Sequence, residues 1–171
     1  MLFAVCITAA GCFKSDSANR TRSVPQVSVN DSGKAHQKHE LELALRKKPG
    51  HVPVLLQLAK LESESGQLKK AEGHLVEILQ AEPANIEVRL ELSKIQFQLG
   101  NVEGALASAQ AILTIDPEQP DALYNLGAVY GNLGDSRRAM RYWNRLISSY
   151  PDSESGKRAR QFVGQLQRSA L

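Results

Sequence analysis

Cysteine is nearly missing from this sequence of 171 residues: its two copies, Cys6 and Cys12, both stand near the N-terminus. Everything beyond residue 12 therefore offers no disulfide, no thiolate zinc site and no thiol nucleophile. Aromatic residues make up only 5%, which suits a core packed from small side chains. Charge of neither sign dominates, and a net +3 over this length is too mild to mark a nucleic-acid binder. Long apolar runs are missing too. The uncharged stretch at residues 2–10 falls far short of the roughly 20 residues a membrane-spanning helix needs. No GxxxxGKS or GxGxxG loop is present to cradle phosphate, and no glycine-flanked serine elbow. His36 and His39 lie beside Glu40 without a third ligand, His51 follows the helix-ending Pro49, and the pattern puts His74 on an exposed helix face. The sequence thus names no catalytic residue, no metal site and no cofactor. What remains, 42% apolar and 23% charged residues, fits one soluble domain or slightly less than one plus a tail.

The short apolar run reads as an export segment. It leads into Ala9-Ala10-Gly11-Cys12, which resembles the lipobox of bacterial lipoproteins, where small residues precede a cysteine that is diacylated and becomes the new N-terminus. That resemblance implies a signal segment at 1–11, lipidation at Cys12 and attachment to a bacterial membrane. Phe13 rather than Asp follows the cysteine, which by the Gram-negative sorting pattern implies the outer membrane, facing the periplasm. Residues 12–34, rich in Ser, Asn and charge, have the composition of a flexible linker. Such a chain reaches on the order of 25 Å.

Beyond the linker, Pro49, Pro83, Pro117 and Pro151 recur every 34 residues. Gly66, Gly100 and Gly134 keep step, as do Ala71, Ala105 and Ala139, and Leu58, Leu92 and Leu126. A period of this length, punctuated twice, marks two helices and two turns per unit. The pattern predicts first helices over about 53–65, 87–99 and 121–133, and second helices over about 68–81, 102–115 and 136–149. Glycine would end each first helix in a left-handed turn, and proline would follow each second helix. The recurring alanines mark the closest helix approach, with Ala59, Ser93 and Gly127 facing them.

Leu123-x2-Leu126-Gly127-x2-Tyr130, then Ala139-x3-Trp143, then Pro151 resembles the tetratricopeptide repeat. The earlier units carry Glu62 and Gln96 in place of Tyr130, and Leu75 and Ala109 in place of Trp143, so they pack with less aromatic bulk. The resemblance implies an all-α fold, a right-handed solenoid of antiparallel helix pairs. Three full units span 52–85, 86–119 and 120–153. A partial unit, a lone second helix from His36 to Lys48, precedes them. A capping helix over 154–168, with Ala159, Phe162, Val163 and Leu166 on one stripe, follows.

In that family the first helices line a concave face that holds a peptide or partner helix. By resemblance, Leu56, Leu90 and Tyr124 form one row of the groove, and Lys60, Lys94 and Ala128 the next. Glu64, Phe97, Gln98 and Asn132 lie beyond, and Glu87, Asp121 and Asn125 fill the near rim. The groove has an apolar floor of Leu56, Leu90, Phe97 and Tyr124, suited to a segment with two or three apolar anchors. The lysine, asparagine and arginine set that clamps acidic chaperone tails is not reproduced. Residues 52–119 carry excess acid and 120–171 excess base, including Arg137, Arg141 and Arg145 on one helical stripe with Arg138, Lys157, Arg158 and Arg160 nearby. That stripe is either a solvated outer face or a contact for anionic lipid or an acidic partner.

The expected function is a non-enzymatic, membrane-tethered adaptor. It would hold a protein or peptide partner to assist assembly of an envelope complex such as a pilus or secretion machine, with no nucleic acid or small-molecule substrate. The alternative is an apocytochrome-holding chaperone of c-type cytochrome maturation, because Arg141-Tyr-Trp-Asn-Arg-Leu-Ile and Tyr150-Pro-Asp-Ser resemble the last repeat of those proteins.

Overall fold

In the computed structural model the described residues, 29–169, form eight helices: α1 (Val29–Lys47), α2 (Val52–Glu64), α3 (Leu68–Ala81), α4 (Ile86–Gln98), α5 (Val102–Ile115), α6 (Pro120–Asn132), α7 (Ser136–Ser149) and α8 (Glu154–Ser169). Among the described residues there is no strand. The expected leader at 1–11, Cys12 and the expected linker as far as residue 28 lie outside them. Residues 29–34, expected as linker, belong instead to α1. This helix starts well before His36, and Lys34 ties it to α2, its Nζ meeting Glu64 Oε2 at 2.9 Å.

The turns explain the period. Gly66, Gly100 and Gly134 adopt φ of 72°, 76° and 76°, a conformation open to glycine at little cost. Each allows a Schellman closure. Gln67 N–H donates to Glu62 O at 2.7 Å, Asn101 to Gln96 O at 2.9 Å and Asp135 to Tyr130 O at 2.9 Å, and each glycine N–H reaches a nearer carbonyl. Three first helices thus end identically, and each second helix starts at the same distance. Consecutive helices pack side by side along the chain. The first helices also stack, α4 on α6 and α6 on α8, which makes one wall of the solenoid continuous.

Two apolar clusters fill the stack. One gathers Leu55, Leu75, Ile78, Val88, Leu92 and Ile95 from α2, α3 and α4. The other gathers Leu123, Leu126, Tyr130, Trp143, Leu146 and Val163 from α6, α7 and α8. The recurring alanines Ala71, Ala105 and Ala139 are fully buried, as close helix approach requires. Ser93 does face Ala105, its hydroxyl donating to the carbonyl at 2.9 Å. Gly127 differs, because the space beside it holds the indole of Trp143 rather than Ala139. Any Cβ there would collide with that ring.

α8 caps the array with only part of its apolar stripe. Ala159 and Val163 are buried, whereas Phe162 is 39% exposed.

Candidate binding groove

The wall shared by α2, α4, α6 and α8 carries a chain of cavities that share lining residues. Leu56, Lys60, Glu87, Leu90 and Lys94 border the first, of about 500 Å³. Lys94 continues into a smaller one of about 210 Å³ with Phe97, Gln98, Asn125 and Ala128. Beyond it, Lys94, Asp121, Tyr124 and Asn125 meet Glu154, Ser155 and Arg158 around about 370 Å³. Phe97, Tyr124, Ala128 and Asn132 form a further cavity of about 370 Å³ with Trp143, Phe162 and Leu166. Helix periodicity brings these side chains together: positions three or four apart share a helix face, and 34 residues separate equivalent positions in neighbouring units.

Twelve of the thirteen expected groove residues line these cavities. Glu64 does not, because it turns to α1 and pairs with Lys34 at 2.9 Å. The hydrogen bond from Lys34 holds its carboxyl below the usual carboxylate value. Of the apolar floor, Leu56 packs partly on the first cluster and Tyr124 partly on the second. Leu90 and Phe97 are half-buried and belong to neither, so they have no evident packing duty. Asn125 Nδ2 is buried without an acceptor, and its residue borders two of the cavities. A buried amide donor left unpaired costs about 1–3 kcal/mol.

α8 adds residues outside the expected groove set, since the pattern puts Phe162 in the capping stripe and Arg158 in the basic C-terminal region. Arg158 and Phe162 line the groove, and both are legible by the repeat: they stand 34 positions after Tyr124 and Ala128.

On another side of α2, Glu62 is only 2% exposed. Lys38 Nζ reaches its Oε1 at 2.9 Å. His74 Nε2 lies 3.3 Å from Oε2, off the line of a hydrogen bond, so that oxygen has no donor. The expectation that His74 is exposed is thereby corrected: it is half-buried because Glu62 occupies the place of Tyr130 and draws a polar neighbour. A cavity of about 560 Å³ beside them is lined by Glu42, Leu45, Arg46, Lys70 and Gly73 as well. Among the described residues no group of His, Cys, Asp and Glu could hold a metal ion.

The arginine stripe on α7 is uneven. Arg145 binds Glu118 through Nε at 2.8 Å and Nη2 at 2.6 Å. Ser149 donates to the same carboxylate at 2.7 Å. These bonds, Ser149 first, lower the Glu118 pKa. Arg138 caps back onto Asp135 and lies 4.5 Å over the Tyr130 ring. Arg137 and Arg141 stay exposed. Two of the four guanidiniums are therefore engaged, Arg145 with Glu118 and Arg138 with Asp135.

This fold and groove define a helical-repeat solenoid. The chain belongs to the tetratricopeptide repeat family, whose models match residues 63–113, 94–134 and 121–153. Among solved structures it is similar to MamA, at 21% identity over 81% of this chain and 86% of that one, with a TM-score of 0.64. A tetratricopeptide repeat protein from Parabacteroides merdae superposes with a TM-score of 0.72, at 21% identity, over 82% of this chain and 56% of that one. YrrB, described as a TPR protein with an unusual peptide-binding site, matches at 22% identity over 78% of this chain and 69% of its own, with a TM-score of 0.68. No curated protein matches the chain.

Proposed function

We propose that this chain, by its family a protein-interaction scaffold, holds a peptide or helix of a partner in the groove of α2, α4, α6 and α8. The observation that carries the reading is the continuous groove itself. It has half-buried Leu90 and Phe97 on its floor and an unpaired amide donor at Asn125. Large apolar side chains without a core role, set within a polar rim, are the usual anchors of recognition. YrrB, similar in fold, carries a peptide-binding site by its description, which supports the same use of this wall.

The proposal extends to a lipid tether at Cys12 that keeps the array beside a bacterial membrane, in the service of assembling an envelope complex. Support comes from Ala9-Ala10-Gly11-Cys12 and the linker composition after it. No helix among the described residues is long and apolar enough to cross a membrane.

A crosslinked pulldown from native membranes with the Phe97→Ala, Tyr124→Ala double variant tests the groove. Partner capture should vanish while helical circular dichroism stays intact, and unchanged capture would refute it. Palmitate labelling that persists in Cys12→Ser would refute the tether.

A further inference from the structure

α8 does more than close the stack. A terminal helix of a repeat array shields the last apolar face and turns polar residues outward, and Gly156, Ala159 and Val163 do the shielding. Phe162 breaks that rule. Its ring is 39% exposed and stacks on Trp143, with centroids 5.2 Å apart and planes 17° from parallel. With Leu166 it closes the end of the groove over Phe97, Tyr124 and Ala128, around about 370 Å³ of space. That volume exists because side chains are small there: Ala128 stands where the earlier units carry Lys60 and Lys94. Gly131 also contributes, since a Cβ on it would come within 3.2 Å of Trp143. A pocket walled by four aromatic rings accepts a large apolar side chain.

The adjoining cavity shares Tyr124 and supplies the polar half of the recognition. Lys94 is engaged with Glu91 at 3.2 Å and Glu154 with Lys157 at 3.1 Å. Arg158 and Asp121 have no ion-pair partner within 4.0 Å among the described residues. Arg158 lies one turn before Phe162 on the same face of α8. Within this cavity Lys94 and Arg158 face Asp121 and Glu154, and α8 itself carries Lys157, Arg158, Arg160 and Arg168 against Glu154 alone, so the helix that closes the groove is its basic wall. Asp121 stands on the opposite wall, on α6, and confines a bound acid to the α8 side. With Lys94 engaged by Glu91, the unpaired Arg158 guanidinium is the donor left to a side-chain carboxylate.

We infer that the α8 end of the groove is a specificity pocket for an internal partner segment carrying a large apolar side chain with an acidic residue next to it. The apolar side chain enters between Phe97, Tyr124 and Phe162, and the carboxylate pairs with Arg158. The inference rests on the groove reading above and gives that groove a ligand chemistry and a direction.

The test is selection of a phage-displayed random dodecapeptide library on the full chain, followed by binding of the selected peptides as synthetic copies. Expected is a shared aromatic or leucine within two positions of Asp or Glu. Binding should shift the emission of Trp143, the single tryptophan, because its stacking partner forms the pocket wall. Affinity should fall at least about tenfold in Phe162→Ala and in Arg158→Glu, with circular dichroism unchanged, and Phe162→Leu should keep most of it. Selection on Arg158→Glu should return Lys or Arg in place of the acid. Selected peptides without an apolar anchor would overturn the pocket. Binding lost in the Phe97→Ala, Tyr124→Ala variant but kept in Phe162→Ala would overturn this inference and leave the groove standing. A library that yields no binder would count against both.

Discussion

The first full unit, α2 with α3, and the last, α6 with α7, are built on one backbone plan and held by different chemistry. At the equivalent positions where helices of a pair meet, the first unit sets Glu62 against His74, 3.3 Å apart. The middle unit sets Gln96 against Ser108, whose hydroxyl donates at 2.8 Å. The last sets Tyr130 against Tyr142, rings stacked 5.7 Å apart. Further along, Leu75 of the first unit becomes Trp143 in the last. Capping follows the same trend. Asn85, Asn101, Gln119 and Asp135 each accept a backbone N–H at the start of α4, α5, α6 and α7. His51 and Gln67, ahead of α2 and α3, make no such bond. Stability in a repeat array is close to a sum of unit terms and nearest-neighbour terms. The array should therefore be firm at the α8 end, where the aromatic pocket sits, and loose at the α1 end.

The strongest way to break that comparison is to remove the ring that defines the last unit. Trp143→Ala deletes a side chain that is 4% exposed, packed beside Gly127 and donating to Tyr124 O at 3.3 Å. It should cost about 3–5 kcal/mol, read from urea denaturation. Leu75→Ala, at the same place in the first unit, removes fewer atoms and should cost about 2–3 kcal/mol. An equal loss at both positions would mean that the aromatic core gives the last unit no advantage.

A second test works on the other unit. Lys38→Met strips the buried Glu62 of the ammonium 2.9 Å away and should cost up to about 3 kcal/mol. α1 has no fully buried residue among those described, so the loss should appear as local undocking that lets water reach the carboxylate. Native-state hydrogen exchange should show α1 and α2 losing protection while α6, α7 and α8 keep theirs. Adding Glu62→Leu should restore protection, since an apolar pair of similar volume does not bear the desolvation of two charges. Failure of that rescue would show that the ion pair contributes more than it costs.

How much of this was legible in the residues depends on how local its cause is. The 34-residue spacing of Gly66, Gly100 and Gly134 placed every repeat helix within about one residue, because a left-handed glycine and a following proline act on the backbone beside them. That the expected groove residues would share one wall was legible for the same reason, being fixed by helix period and repeat period together. Glu64 left the groove because its partner Lys34 lies on a segment whose composition reads as linker, and nothing local signals that it pairs with α2. His74 was misplaced because its neighbour Glu62 is distant in sequence and occupies a position expected to be aromatic. The part played by Arg158 and Phe162 could have been found by adding one period to Tyr124 and Ala128, but α8 matches the repeat pattern too loosely to suggest it.

A smaller effect would sharpen the capping contrast. His51 has φ −70° and ψ 99°, close to the φ −70° and ψ 100° of Asn85, and its Nδ1 is buried without a partner. The backbone is already shaped for a cap that the side chain does not supply. His51→Asn should therefore raise stability by about 0.5–1 kcal/mol, with slower exchange confined to the first turn of α2. No gain would mean that Pro53, early in that helix, already removes the need for one.

The smallest expected effect is that of acid. Glu64, Glu118 and Asp135 all have lowered pKa values: Glu64 through the Lys34 hydrogen bond, Glu118 through Ser149 and then Arg145, and Asp135 through the Arg138 backbone N–H and then its side chain. A group lowered on folding contributes stability that is complete above its ordinary value, 4.5 for Glu and 3.8 for Asp. That contribution is lost as pH falls through the lower folded value. All three are exposed and screened by salt, so each loss is slight. Two of the three carboxylates hold α7 and only one holds α2 to α1, so acidification below pH 4.5 should erode the last unit more than the first and narrow the gap between them. Melting followed from pH 6 to pH 3, compared with Glu118→Gln, checks the sign. The variant should start lower and lose less on acidification, whereas a parallel decline would remove the Glu118 contact with Arg145 and Ser149 as a source of the difference.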